Sequence, residues 1–201
     1  MISSLLAENL ALRRGDRLLF SGLSFAVQAG EAVAVEGPNG AGKTSLLRLI
    51  AGFLNQEAGR LSLLADGRTV SDCEERGAHI GWLGHQEGLK PQLTALEQLR
   101  FYAQLYRHGG DPSSFLDEVG LARQAELSCR YLSAGQKRRL ALARLLASGR
   151  SLWLLDEPFA ALDTAGKDLV SRLIARHCAA GGMVLAATHE PLAAAARSLC
   201  L

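Results

Sequence analysis

The sequence lacks long apolar runs. Stretches such as Met183 to Ala187 and Leu192 to Ala196 fall far short of the roughly 18–20 residues that a bilayer-spanning helix needs, so no transmembrane segment is expected. The first residues, Met1-Ile2-Ser3-Ser4-Leu5-Leu6-Ala7-Glu8, have neither a basic stretch nor a long apolar one, and no signal peptide is read there. Cysteine is sparse and unpaired in sequence. Cys73, Cys129, Cys178 and Cys200 form no Cys-x-x-Cys motif, which suits reduced cytosolic thiols better than a disulfide frame or a zinc site, and buried structural thiols are expected. Excess charge of one sign is lacking too. Lys and Arg number 22 against 20 Asp and Glu, a balance of +2, with no block of like charges to attract nucleic acid. Internal repeats and low-complexity linkers are absent. What remains is a globular composition, 48% hydrophobic, 21% charged and 5% aromatic, over 201 residues: one domain, or one with a small insertion, long enough to bury its own core.

Glycine and short apolar runs organise the chain. Leu18 to Val27 reads as a strand, followed by a turn at Gln28-Ala29-Gly30-Glu31 and a buried-type strand Ala32-Val33-Ala34-Val35-Glu36. Residues 59–85 read as short strands and turns, broken at Gly59, Asp66-Gly67 and Gly77. From Gln92 to about Gly149 the pattern is mostly helical, interrupted at Gly109-Gly110-Asp111-Pro112, with a long helix from about Gly135 to Ala147. Ser151-Leu152-Trp153-Leu154-Leu155 and Met183-Val184-Leu185-Ala186-Ala187 are further buried strands, separated by a helix near Lys167 to Ala179. Strands alternating with helices predict an α/β fold with a parallel sheet.

The strongest chemical signal is Gly37-Pro38-Asn39-Gly40-Ala41-Gly42-Lys43-Thr44-Ser45, between a buried strand and an amphipathic helix. A phosphate chain needs many donors and close backbone approach. Glycines allow that approach, successive N–H groups form an anion nest, and the helix adds its positive end. Lys43 is expected to reach the β- and γ-phosphates, and Thr44 to ligate Mg2+. The second signal is Leu152-Trp153-Leu154-Leu155-Asp156-Glu157, where an apolar strand delivers two acids to the sheet edge. Asp156 suits Mg2+ held through its water shell, and Glu157 suits polarising an attacking water. Taken alone, the pair could equally be a strand-end turn or a helix cap. The third is Leu132-Ser133-Ala134-Gly135-Gln136, which physics alone reads either as an ordinary capped helix or as an anion dock. Lys137-Arg138-Arg139 reads as a solvated face. Gln86 ends a strand-like run and His189 follows a core strand; each is weak by itself, and a lone histidine there is more often structural. His79, His85, His108 and His177 show no metal-binding spacing.

Together these segments resemble the ATP-binding cassette ATPase family, over essentially the whole chain and in the family's order. The P-loop is Gly37 to Thr44, the Q-loop residue Gln86, the signature Leu132 to Gln136, the acidic strand end Asp156 with Glu157, the D-loop Ala161-Leu162-Asp163 and the switch histidine His189. The resemblance implies a P-loop NTPase (RecA-like) parallel sheet core with an antiparallel β subdomain and an inserted helical signature subdomain. Residues 1–85 and 151–201 would then form the nucleotide-binding core and 86–150 the helical part of a single domain. It also implies ATP and Mg2+ as cofactors, with Mg2+ held by Thr44, Gln86 and Asp156, partly through water. A head-to-tail homodimer would sandwich two ATP, with Ser133, Gly135 and Gln136 of one copy meeting the γ-phosphate held by Lys43 of the other. Asp163 would communicate across that dimer, and Gln86, Glu157 and His189 would serve hydrolysis. The signature reads Ser-Ala-Gly-Gln where the family usually has Ser-Gly-Gly-Gln; alanine keeps the site small. Upstream of the P-loop, where the family usually stacks an aromatic ring on adenine, stands Arg13-Arg14-Gly15-Asp16-Arg17, and an arginine plane could stack instead.

A narrower resemblance is to the ATP-binding subunits of the haem exporter of bacterial c-type cytochrome maturation. It is carried by Leu19-Phe20-Ser21-Gly22-Leu23-Ser24-Phe25, the segment Glu36 to Arg48, Gly84-His85-Gln86, Leu93 to Tyr102, the signature with Arg138-Arg139, and Glu157-Pro158-Phe159. It implies separate integral membrane subunits, a peripheral place on the cytoplasmic face of the inner membrane, and a link to a periplasmic haem chaperone. Two other readings stay open: a transport ATPase for a lipid or another small molecule, and a soluble cassette acting on DNA or ribosomes. The second is disfavoured by one P-loop, no heptad run and little net charge to neutralise phosphates.

Overall fold

Alternation along each short apolar strand gives it two buried faces rather than one. In the computed structural model, which describes residues 2–106, 110–192 and 196–201, these strands form a five-stranded sheet, all parallel. Its order is β6 (Ile80–Leu83), β7 (Leu152–Asp156), β8 (Met183–Ala187), β3 (Ala32–Glu36) and β9 (Arg197–Cys200). Ala32, Ala34, Trp153, Leu155, Val184 and Ala186 face one core; Val33, Val35, Leu152, Leu154, Met183 and Leu185 face the other. The period of two is hidden in sequence because both faces are apolar.

A second, antiparallel sheet of four strands covers one side, in the order β2 (Arg17–Gln28), β1 (Ile2–Arg14), β4 (Ala58–Ala65) and β5 (Arg68–Val70). Helix α1 (Lys43–Ile50) lies in the core between the sheets and buries Leu46, Leu47, Leu49 and Ile50. The other side of the parallel sheet carries α3 (Ala95–Tyr106), α4 (Pro112–Glu118), α5 (Ala134–Ala147) and α6 (Thr164–Ala179). A short helix α2 (Cys73–Gly77) precedes β6. Among the described residues no helix is long and apolar enough to cross a membrane.

Several sequence expectations need correcting. The N-terminal segment, read only for a leader, is the long central strand β1, and β9 and α2 were not foreseen. Gly59 does not break a strand; it sits inside β4 opposite the irregularity of β1 between Glu8 and Ala11. With φ +89, a Cβ there would lie 2.4 Å from the carbonyl oxygens of Glu8 and Asn9, so the residue must be glycine for the two backbones to meet. Of the four cysteines only Cys129 is buried; Cys178 is intermediate and Cys73 and Cys200 are exposed. His177 stacks on Trp153, centroids 3.8 Å apart, and burial lowers its pKa. His108 and Gly109 lie outside the described residues, as do Ala193 to Ala195; Asp111 and Pro112 start α4 as cap and first-turn proline. The largest correction is Arg138. It is not solvated but 1% exposed, because it keeps step with Leu142 and Leu145 on the inward face of α5.

Candidate functional site

The glycine loop joins β3 to α1 at the carboxyl end of the parallel sheet, the edge where ligands bind in open α/β folds. Gly42 takes φ +110 as the N-cap of α1, packed within 3.3 Å of Leu19, where a side chain would be both strained and crowded. Side chains of Asp72, Asp111, Ser133 and Asp163 cap α2, α4, α5 and α6. Helix α1 has no side-chain cap and no acid in its first turn, so its first N–H groups are left for an anion. The Lys43 ammonium folds over the loop and donates to the carbonyls of Gly37 at 2.7 Å and Pro38 at 3.3 Å. It is thereby held over the nest formed by the backbone N–H groups.

Strand β7 runs antiparallel to nothing in its sheet, so its carboxyl end arrives at the same edge as the loop. Asp156, 3% exposed, accepts a hydrogen bond from the Thr44 hydroxyl at 2.8 Å. These two oxygens are the hard donors that Mg2+ prefers. Among the described residues no three His, Cys, Asp or Glu side chains converge into a metal-binding cage. The next residue, Glu157, adopts a left-handed backbone, φ +49. That conformation, uncommon for a non-glycine residue, swings its carboxylate toward the cavity above the P-loop. Its N–H donates to the Ala187 carbonyl at 2.8 Å, tying it to the end of β8. From β8 the chain turns at Thr188, whose hydroxyl accepts from the Glu190 N–H at 3.0 Å and donates to the Glu190 carbonyl. The turn leaves His189 Nε2 3.7 Å from a Glu157 carboxylate oxygen.

One cavity of about 370 Å³ therefore gathers Asn39, Gly40, Gly42, Lys43, Thr44, Ser45, Glu157 and His189, with Asp156 beneath Thr44. Arg14, Arg17 and Leu19, from the β1–β2 hairpin, complete its wall, and among the described residues no Phe, Tyr or Trp side chain lines it. Arg13 is turned away onto Glu57, 3.2 Å. Pro38 and Ala41 shape the loop without lining this cavity, and Gly37 borders the neighbouring groove.

The remaining candidates stand elsewhere. Ser133, Gly135 and Gln136 line a separate groove with Asp163. Ser133 and Gln136 form a reciprocal capping box: the Ser133 hydroxyl accepts from the Gln136 N–H at 3.2 Å, and the Gln136 side chain accepts from the Ser133 N–H at 2.9 Å. The serine oxygen accepts there, so its own proton can be donated outward. Asp163 caps α6 through the Gly166 N–H, which with Arg139 at 3.0 Å holds its carboxyl below the usual range. Gln86 is exposed and lines a third groove beside Lys137 and Arg130. One chain thus gathers the P-loop, the acids and the histidine, and keeps the signature and Gln86 apart from them. Arg138 was read with Lys137 and Arg139 as a solvated face, although its spacing of four and seven from Leu142 and Leu145 is that of an inward-facing residue.

Comparison with known proteins agrees with this geometry. Residues 20–160 match the ABC transporter family. The chain is 49% identical over 189 residues to the cytochrome c biogenesis ATP-binding export protein CcmA of Rhodopseudomonas palustris (strain BisB5), covering 92% of each. It is 50% identical over 187 residues to the protein of the same name from Nitrobacter winogradskyi, again covering 92% of each. Among solved structures it is similar to the ATP-binding cassette MJ0796, a dimer in a post-hydrolysis state bound to ADP and Pi. That likeness has a TM-score of 0.79 at 25% identity and covers 92% of this chain and 88% of the other.

Proposed function

Since the chain belongs to the ABC transporter family, we propose that it is the ATP-hydrolysing subunit of the export complex of c-type cytochrome biogenesis. In this role it couples Mg-ATP hydrolysis to haem export or to release of a haem-loaded periplasmic chaperone. The observation that carries the ATPase part is the Thr44–Asp156 hydrogen bond under a P-loop whose rim holds Glu157 and His189. The export part is supported by near-half identity to proteins of that name along nearly the whole chain. The chain works as one ATPase domain, with residues 86–150 as the helical part and 1–85 with 151–201 as the nucleotide-binding core.

Phosphoryl transfer to water asks the protein mainly for positioning and charge. The P-loop N–H groups and Lys43 fix the β- and γ-phosphates. Thr44, Gln86 and Asp156 would hold Mg2+, partly through water, and the ion would neutralise charge on the phosphate oxygens. Glu157 orients the attacking water and takes up its proton. His189, set by the Thr188 turn beside Glu157, donates to the γ-phosphate. Ser133, Gly135 and Gln136 face a different groove from Lys43, so they act on the nucleotide of a second copy, and Asp163 beside them links the two sites. The homodimer sits at the cytoplasmic face of the inner membrane on separate integral membrane subunits. Co-expression with the haem-handling membrane subunits is expected to recover all of them together, with ATPase activity that responds to the haem chaperone. Recovery with subunits of an exporter for a lipid or another small molecule would refute the haem assignment and leave the ATPase standing.

The wall of Arg14, Arg17 and Leu19 bears on the nucleobase. Guanidinium planes cover any purine face and read none of its edge groups. We expect GTP to compete with ATP within about tenfold, and Arg17→Ala to weaken both by about 0.5–2 kcal/mol. Nucleotide competition binding measures this, and a preference for ATP beyond a hundredfold would show that something other than the arginines reads the base.

A further inference from the structure

Arg138 is among the largest fully buried side chains of the protein, and no carboxylate lies within ion-pair distance of it among the described residues. A guanidinium so placed is costly unless its donors are satisfied. Here they are satisfied by backbone carbonyls alone. Nη1 donates to Gly84 at 2.7 Å, Nη2 to Asp156 at 2.8 Å and to Glu157, and Nε reaches Pro158 at 3.5 Å. Burial lowers its pKa, with Glu87, Asp156 and Glu157 opposing the shift. For packing alone, an apolar side chain would serve this position as well.

The acceptors are informative. Gly84 follows the last residue of β6 and stands two residues before Gln86. Asp156, Glu157 and Pro158 form the turn that carries the acids, and Glu157 is the residue with φ +49. Arg138 itself stands in the first turns of α5, two residues after Gln136 and five after Ser133. A single rigid fork therefore joins the helix of the signature, the strand end of the proposed base and the approach to Gln86. The opposite side of Glu157 is held by its N–H on Ala187.

Resting on the reading of Glu157 as the base, we propose that Arg138 is a positioning residue for hydrolysis. Its carbonyl contacts hold Glu157 in its left-handed conformation and couple the orientation of that carboxylate to the signature helix. It does not line the cavity that holds Lys43 and His189, and it acts on the reaction through Glu157.

The test uses the complete complex with its membrane subunits and MgATP. Arg138→Met keeps the length and removes the donors; Arg138→Lys keeps the charge and one point of donation without the planar fork. We expect Arg138→Met to lower kcat by about a hundredfold with KM for ATP changed less than threefold, and Arg138→Lys to fall between it and the unmodified protein. Introduced into Glu157→Gln, Arg138→Met should cost nothing further, because its effect is already lost with the carboxylate. A kcat within threefold of the unmodified protein, or a loss that multiplies in the double variant, would overturn the proposal. Where Arg138→Met does not fold, Arg138→Lys carries the same two readouts. Failure of the base assignment looks different: Glu157→Gln would then hydrolyse ATP at nearly the normal rate whatever stands at residue 138.

Discussion

Glu157→Gln is expected to stop ATP turnover in the assembled complex, by about 10²–10⁴-fold, while ATP stays bound and the two copies stay closed on it. Glutamine matches glutamate in size, so the left-handed turn, the N–H to Ala187 and the contacts of its carbonyl persist. What goes is the group that can accept a proton from water. The negative charge facing the γ-phosphate goes as well, and that loss favours retention of ATP. Single-turnover hydrolysis and gel filtration with ATP read the two halves of this result separately. Hydrolysis at near the normal rate within the complex would show that the base is another group.

Lys43→Ala acts one step earlier. The ammonium is the only cation placed directly on the P-loop carbonyls among the described residues, and it makes charge-assisted hydrogen bonds. Losing such bonds to phosphate costs about 1.5–3 kcal/mol of binding, and turnover falls below detection because the γ-phosphate is no longer held in line. Thermal melting distinguishes this from damage to the fold. The variant should melt within a few degrees of the unmodified protein without nucleotide, but MgATP should no longer raise its Tm. An undiminished rise would mean that the phosphates are gripped elsewhere.

Local signals were legible where one physical requirement dominates a short segment. The P-loop announces itself because glycines, lysine and threonine occur between a buried strand and an amphipathic helix, and the structure places them there. Buried parallel strands such as Ala32–Glu36 and Met183–Ala187 were readable as unbroken apolar runs. Strand β1 was not, because it is the central strand of an antiparallel sheet with bulges. Its burial alternates only in patches, so no run of period two marks it as a strand. Strand β9 is short, largely exposed and recruited by β3 from 164 residues away in sequence (Val33 to Arg197), a pairing that no local pattern encodes. Arg138 misled for another reason. Its neighbours Lys137 and Arg139 are partly exposed, so the charge run hid a residue whose helical phase points inward. Single-chain geometry also separates what the resemblance joins: Gln86 and Ser133 line grooves of their own.

That separation has a kinetic meaning. In the proposed dimer each copy brings a phosphate grip and, in a separate groove, the signature residues proposed to act on its partner's nucleotide. At low concentration in solution, hydrolysis should follow the square of the protein concentration, since each productive event begins with an encounter. Fixing two copies on one membrane assembly turns that encounter into an intramolecular one, with an effective concentration in the millimolar range. On the proposed assembly, the membrane subunits would set how often two copies meet, and with it the resting rate at which ATP is consumed.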